Sequence, residues 1–306
     1  MDTRTKKYKN LTSIINKELK KEKTKKRRKK RHKFLITILI IISLILIYAR
    51  FIEPSILMTN EIKITSDKID DTFHGLKIVH FSDLHYGMTV DFKYMEKLVK
   101  EINVLKPDIV LFTGDLIEQN YKLEKKEKES LIKYLRDLNS TYGKYAIIGN
   151  HDYFNEEFKN IITSSGFNYL NNSHDIIYKE DNSILIYGVD DAIYSTPLYD
   201  KLNEDELKNS DYKIIMIHEP DIVDNIAYNY DVDLIVGGHS HNKQVNIPFI
   251  KAFWLPYMGQ KYYDSYYNMN NTDIYISNGI GTSTVKFRMF SIPSINLYRI
   301  TKPKKF

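Results

Sequence analysis

The chain has 306 residues, of which 42% are hydrophobic and 27% charged, a globular composition with room for a substantial core. Cysteine is absent, which excludes disulfide scaffolds, thiolate zinc sites and cysteine nucleophiles; any metal must be held by His, Asp, Glu or Asn. The net charge of +6 hides an asymmetry, because residues 1–33 carry 16 basic and 3 acidic residues while the remainder carries 29 and 36. The basic character belongs to a tail, and the acidic body argues against a nucleic-acid groove.

Directly after Lys25–Lys33, the run Phe34–Ala49 contains no charged residue, and extended to Ile52 it has 19 residues with Arg50 able to snorkel. At about 1.5 Å per residue such a helix spans about 28 Å, close to the hydrocarbon thickness of a bilayer. It is apolar on every side and Pro54 follows it, unlike the helix of a soluble core. The basic residues ahead of it predict a cytoplasmic N-terminus and an extracytoplasmic body. The long leader and the lack of a small-residue cleavage site predict an uncleaved signal anchor. The sequence thus divides into a basic tail (1–33) suited to anionic lipid, a transmembrane anchor (34–52), a short linker (53–60) and a body (61–306). A tether of seven residues reaches at most about 25 Å, so the body is expected close to the membrane surface.

Within the body, Glu61–Thr65 and Leu76–Phe81 predict strands. Met95, Leu98, Val99, Ile102 and Leu105 recur at helical spacing and stop before Pro107. Asp108–Phe112 predicts a strand, Leu131, Tyr134, Leu135 and Leu138 a charged helix, Tyr145–Ile148 a strand and Glu156–Ser164 a helix. Ile184–Tyr187, Tyr212–Ile217 and Leu234–Val236 complete the strands, and Lys122–Lys128 reads as a solvated helix face or loop. The alternation argues a mixed α/β sheet with covering helices.

Polar clusters fall where the strands stop: Asp83 and His85, Gly114-Asp115, Gly149-Asn150-His151-Asp152, His218, and Gly238-His239-Ser240-His241. Ligands of α/β sheets gather at such ends. Singly, each cluster has a plainer reading. His85 is a loop histidine, Gly-Asp a helix N-cap, and His239 with His241 two positions on one strand face.

Taken in this order, Asp-x-His, Gly-Asp, Gly-Asn-His-Asp, a lone His and Gly-His-x-His resemble the calcineurin-like metallophosphoesterase superfamily, from about Glu61 to the C-terminus. Ser82–Gly87 (Ser-Asp-Leu-His-x-Gly) and Asn278–Ser283 (Asn-Gly-Ile-Gly-Thr-Ser) are similar to its membrane-anchored or exported bacterial branch. The resemblance implies an α/β sandwich of two mixed β-sheets flanked by helices, here behind one transmembrane helix. It implies two divalent ions, Mn, Fe or Zn, a choice that suits carboxylate and imidazole ligands. One ion would take Asp83, His85, Asp115 and His241; the other would take Asp115, Asn150, His218 and His239.

The implied activity is hydrolysis of a phosphate ester by in-line attack of a metal-bridging hydroxide. A diester, a monoester or a pyrophosphate would serve, including lipid-linked or envelope-derived esters. His151 is implied to stabilise the transition state or protonate the leaving oxygen, with Asp152 orienting it. After His241 the chain reads Asn242-Lys243-Gln244 where exported members commonly have Gly-Gly-Gln. Two alternatives remain: a nuclease or nucleotide phosphodiesterase on the same fold, and a non-catalytic metal-binding surface protein. The acidic body argues against the first, and the complete ligand set argues against decay to a metal-free binding or scaffold protein.

His32 belongs to the tail, and His74, His80 and His174 read as ordinary surface or core residues, with His80 placed to contact the site. The aromatic stretch Phe249–Tyr267 contains Phe253, Trp254, Tyr257, Tyr262, Tyr263, Tyr266 and Tyr267. It reads either as a satellite core or as a loop facing substrate or membrane.

Overall fold

The structure is a computed structural model describing residues 3–303 except 251 and 253, and the side chains of 3–6 and 206 are likewise outside the description. Phe253 therefore lies outside the described residues. The chain forms two compact units, one ending at Ala49 and one beginning at Arg50. The first is a single helix, α1 (Thr3–Ile47), in which the basic tail and the apolar run are continuous. Among the described residues this is the one helix long and apolar enough to cross a membrane. Its apolar side chains, Phe34, Leu39 and Leu44 among them, are exposed.

Among the described residues, the second unit has twelve strands: β1 (Met58–Thr65), β2 (Leu76–Phe81), β3 (Ile109–Phe112), β4 (Gly143–Ala146), β5 (Asn168–Tyr169), β6 (Ser173–Lys179), β7 (Asn182–Gly188), β8 (Tyr212–Met216), β9 (Leu234–Gly237), β10 (Tyr266–Met269), β11 (Thr272–Ile276) and β12 (Ser294–Thr301). They form two mixed six-stranded sheets, ordered β1-β12-β2-β3-β4-β5 and β10-β11-β9-β8-β7-β6. The apolar runs are continuous because both faces of each central strand are buried. Ile78, Ile109, Leu111, Ile184, Ile186, Ile214, Met216, Leu234 and Val236 meet between the sheets. Their alternates Val79, Phe81, Val110 and Phe112 face helices α2 (Phe92–Leu105), α3 (Lys125–Arg136) and α4 (Glu157–Ser164). Leu185, Ile215 and Ile235 form the outer face of the other sheet with Val223 and Ile226.

Local chemistry explains the element ends. Asp91 caps α2 by accepting the Tyr94 amide at 2.8 Å. Glu124 and Glu127 form a capping box at the start of α3, so the charge run Lys122–Lys128 enters a helix partway. The β10–β11 hairpin turns on Asn270 and Asn271, both with positive φ, a conformation asparagine tolerates well.

In the short linker 53–60, Glu53 and Pro54 are buried in a short turn, and β1 begins at Met58 and runs parallel to β12. Glu53 Oε1 accepts the Ser291 amide at 2.8 Å. An acidic, Pro-containing stretch carries no strand pattern, so its burial depends on a partner more than 230 residues away.

Candidate metal centre

Three strands of the first sheet and two of the second end at one rim. Beyond β2 lie Asp83 and His85, beyond β3 Asp115, and beyond β4 Asn150, His151 and Asp152. Beyond β8 lies His218, and beyond β9 His239 and His241. Backbone bonds tie these turns together: Asp83 N donates to Gly114 O at 2.9 Å, and His85 N donates to Asp115 O at 3.0 Å. The Asp83 carboxylate accepts the His239 amide at 3.0 Å, joining the two sheets.

The turns are unusual in backbone. Asp83, His85, Asp115, His239 and His241 all have φ between 42° and 67°, the left-handed region that non-glycine residues rarely occupy. Such strain gathers at functional sites. Glycines allow the close approach: a Cβ on Gly149 would lie 2.3 Å from Asp115 Oδ1, and one on Gly281 would lie 2.0 Å from Leu84 O.

The side chains converge. Asp83, His85 and His241 place ligand atoms within 4.8 Å of one another, as do Asp115, His218 and His239, and all six residues are buried. Asp115 Oδ2 lies between the groups, 3.4 Å from His85 Nε2 and 3.3 Å from His218 Nε2. Asn150 Oδ1 is 3.2 Å from His218 Nε2 and 3.0 Å from His239 Nδ1. His151, partly buried, sets its ring 4.6 Å from that of His85, and its Nδ1 accepts the Gln119 amide at 3.3 Å. All nine expected residues, Asp152 included, thus lie on one rim.

The donor set fits divalent cations. His218 Nδ1 donates to Thr113 O at 2.6 Å and His239 Nε2 donates to Tyr257 O at 2.8 Å, which turns His218 Nε2 and His239 Nδ1 inward. His85 Nδ1 lies 2.9 Å from Glu118 Oε2, close but not aligned as a hydrogen bond, with Nε2 facing in. His241 differs, since its Nδ1 accepts from Arg288 Nη2 at 3.2 Å and its Nε2 lies 3.1 Å from His85 Nε2. A ligand role there requires the proton on His241 Nε2 to leave.

Burial alone would raise Asp115, but His218, His151 and His85 hold its carboxyl well below the usual range. His239 is pushed down to about 3 by burial and by neighbouring His218, so it is neutral and able to coordinate.

Two residues were not found by sequence reasoning. Glu118 contacts His85 and lies 3.6 Å from His151 Nδ1; its only signal is an acidic residue three positions after Asp115. Arg288 is fully buried and donates to Asn278 O, Gly281 O and Ser291 O, clamping the Asn278–Ser283 turn against the site; nothing in its local sequence marks it. The Asp152 carboxylate accepts the amides of Asp115 at 2.7 Å and Leu116 at 2.9 Å, bracing the Asp115 turn, while Glu118 Oε1 lies 3.6 Å from His151 Nδ1.

A family model for calcineurin-like phosphoesterases matches residues 76–243. The chain belongs to that family. Membership makes it a phosphoric ester hydrolase. The chain is 32% identical over 257 residues to the uncharacterized metallophosphoesterase YkuE of Bacillus subtilis, covering 83% of this chain and 88% of the relative. It is 26% identical to a transmembrane protein with metallophosphoesterase domain of Danio rerio, covering 76% of this chain and 54% of that one. It is 25% identical to the UDP-2,3-diacylglucosamine pyrophosphatase LpxG of Chlamydia muridarum, covering 67% and 75%.

The aromatic stretch divides. Tyr262 is buried with Ile274 and Ile276 and packs edge-on against Tyr267, a satellite core. Phe249, Trp254 and Tyr257 are exposed.

Proposed function

We propose that the chain is a membrane-anchored dinuclear phosphoesterase acting on a lipid-linked phosphate ester or pyrophosphate outside the cytoplasm. One observation carries the reading: Asp115 lies between two groups of buried ligand atoms whose histidines mostly have their outer nitrogens occupied. Asp83, His85, Asp115 and His241 would hold one cation, and Asp115, Asn150, His218 and His239 the other, with Mn, Fe or Zn suited to these donors. When bound, such ions acidify a water and neutralise phosphoryl charge.

The chain's own residues supply orientation and a proton. Because His151 Nδ1 accepts the Gln119 amide, the neutral ring carries its proton on Nε2, ready for a leaving oxygen. Asp152 fixes the Asp115 turn through backbone amides, and Glu118 holds His85. The anchor reading rests on the 19-residue apolar run behind a basic tail, residues 1–33, at the cytoplasmic face; the body would begin at Glu53 rather than 61. The diacylglucosamine pyrophosphatase named among the relatives supports a lipid-linked substrate.

The test is a panel on the full chain, with and without Mn²⁺, of bis-aryl phosphate, aryl phosphate, a nucleotide-sugar pyrophosphate and phospholipid vesicles. Metal-dependent turnover is expected, abolished by Asp115→Asn. His151→Ala should retain metal and slow turnover by about 10²–10⁴-fold. Turnover that ignores metal, or an unchanged kcat in His151→Ala, would contradict the reading.

A further inference from the structure

Beside the ligand turns lies an apolar cleft of about 500 Å³, within the range of small-molecule sites. Val245, Ile247, Ile250, Trp254 and Val285 line it, and Lys243 stands at its edge. Ile250 and Trp254 are more than half exposed, so the lining is open to solvent where a body this size would ordinarily cover it. Two connections tie the cleft to the candidate centre. Gln244 follows His241 by three residues, a reach of at most about 11 Å. Its side chain accepts the Ser283 amide at 2.9 Å and donates to Ser283 O and Val285 O at 3.0 Å each, pinning the second wall of the cleft. That wall continues the turn in which a Cβ on Gly281 would lie 3.2 Å from His85 Cβ. The cleft therefore shares its walls with the turns that carry His85 and His241.

We propose that this cleft binds the acyl chain of the substrate, a lipid phosphoester whose phosphate sits at the candidate metal centre. The proposal rests on the phosphoesterase reading and names its substrate class. A hydrocarbon chain is the occupant because the surface the cleft presents is mostly apolar, although Gln244, Ser283 and Thr284 also line it and Gln244 is engaged by the backbone of Ser283 and Val285. The lipid supply is the bilayer into which a helix ending a few residues before Glu53 would insert. Lys243, held 3.2 Å from Asp264, adds a cation to the lining.

Trp254 is the single tryptophan of the chain, so its fluorescence reports the cleft directly. The full chain in phosphatidylcholine nanodiscs would be given p-nitrophenyl alkyl phosphates from methyl to octyl with Mn²⁺. In parallel, alkyl phosphates brominated at the chain end would be titrated while Trp254 emission is followed. Burial of about 0.8 kcal/mol per methylene predicts that kcat/KM rises about two- to fourfold per added carbon, and that bromoalkyl phosphate quenches Trp254 saturably. Val285→Asp and, independently, Ile250→Ser should flatten the chain-length slope.

Metal-dependent hydrolysis of the methyl ester without a chain-length slope would overturn the cleft and leave the phosphoesterase reading standing. A slope kept in both variants would place the selectivity in the bilayer and also overturn it. If no ester is hydrolysed the phosphoesterase reading falls, and saturable quenching, or its absence, then decides the cleft alone.

Discussion

The imidazole of His85 shows how much of the site depends on groups outside the ligand set. Its inner nitrogen faces Asp115 and His241, and its outer nitrogen faces Glu118. A carboxylate behind a ligating histidine fixes the ring and raises its basicity, and losing it typically costs about 10–100-fold in metal affinity. Glu118→Gln should weaken Mn²⁺ binding by that order while the fold survives, as read by calorimetric titration and circular dichroism. Unchanged affinity would remove Glu118 from the support of the site. The sequence shows Asp83, His85, Asp115, Asn150, His218, His239 and His241 openly, because each follows an apolar strand. It hides Glu118 and Arg288, whose value comes from what folding sets beside them. It also hides the partners of Asp152, which are backbone amides that carry no sequence signal.

Among the elements, β2 is the strand most committed by its neighbours. His80 is fully buried there, with Nδ1 3.1 Å from Tyr298 Oη of β12 and Nε2 2.9 Å from Thr113 Oγ1 beyond β3. Burial pushes its pKa from 6.5 down to about 3. Since the folded state resists the proton that the unfolded chain accepts, this contribution is complete above pH 6.5 and is lost as pH falls toward 3, at about 1.4 kcal/mol per unit. In urea unfolding, the stability gap between wild type and His80→Gln should shrink by about 2 kcal/mol from pH 6.5 to pH 5. A constant gap would contradict this. The central strands were legible because both faces are apolar. The edge strands β5, β6 and β10 were not, since they mix polar and apolar residues and are placed by their neighbours, and β11, paired between β10 and β9, alternates polar and apolar residues as they do.

At the scale of the whole molecule, segments far apart in sequence meet beside the site. Glu53 accepts the Ser291 amide, and Ser291 Oγ donates to His241 O at 2.7 Å. The segment that follows the apolar helix in sequence therefore supports the candidate ligand turn at His241, 188 residues further along the chain. Leaving the buried Ser291 amide unpaired costs about 1–3 kcal/mol, so Glu53→Ala should lower the thermal midpoint of the full chain and weaken metal binding. An unchanged midpoint with unchanged metal affinity would show that this link is idle. The order of the five ligand blocks and the apolar run were readable at this scale, whereas the link through Glu53 exists only once β1 and β12 are paired.

In the proposed function, the residues at the rim would hold two cations, with Asp115 common to both sets of ligands. Elemental analysis of the full chain, purified after supply of manganese, iron and zinc together, tests it most directly. Two divalent ions per chain in the wild type, lost or halved in Asp115→Asn, is the predicted result; a folded wild-type chain that retains none would contradict it.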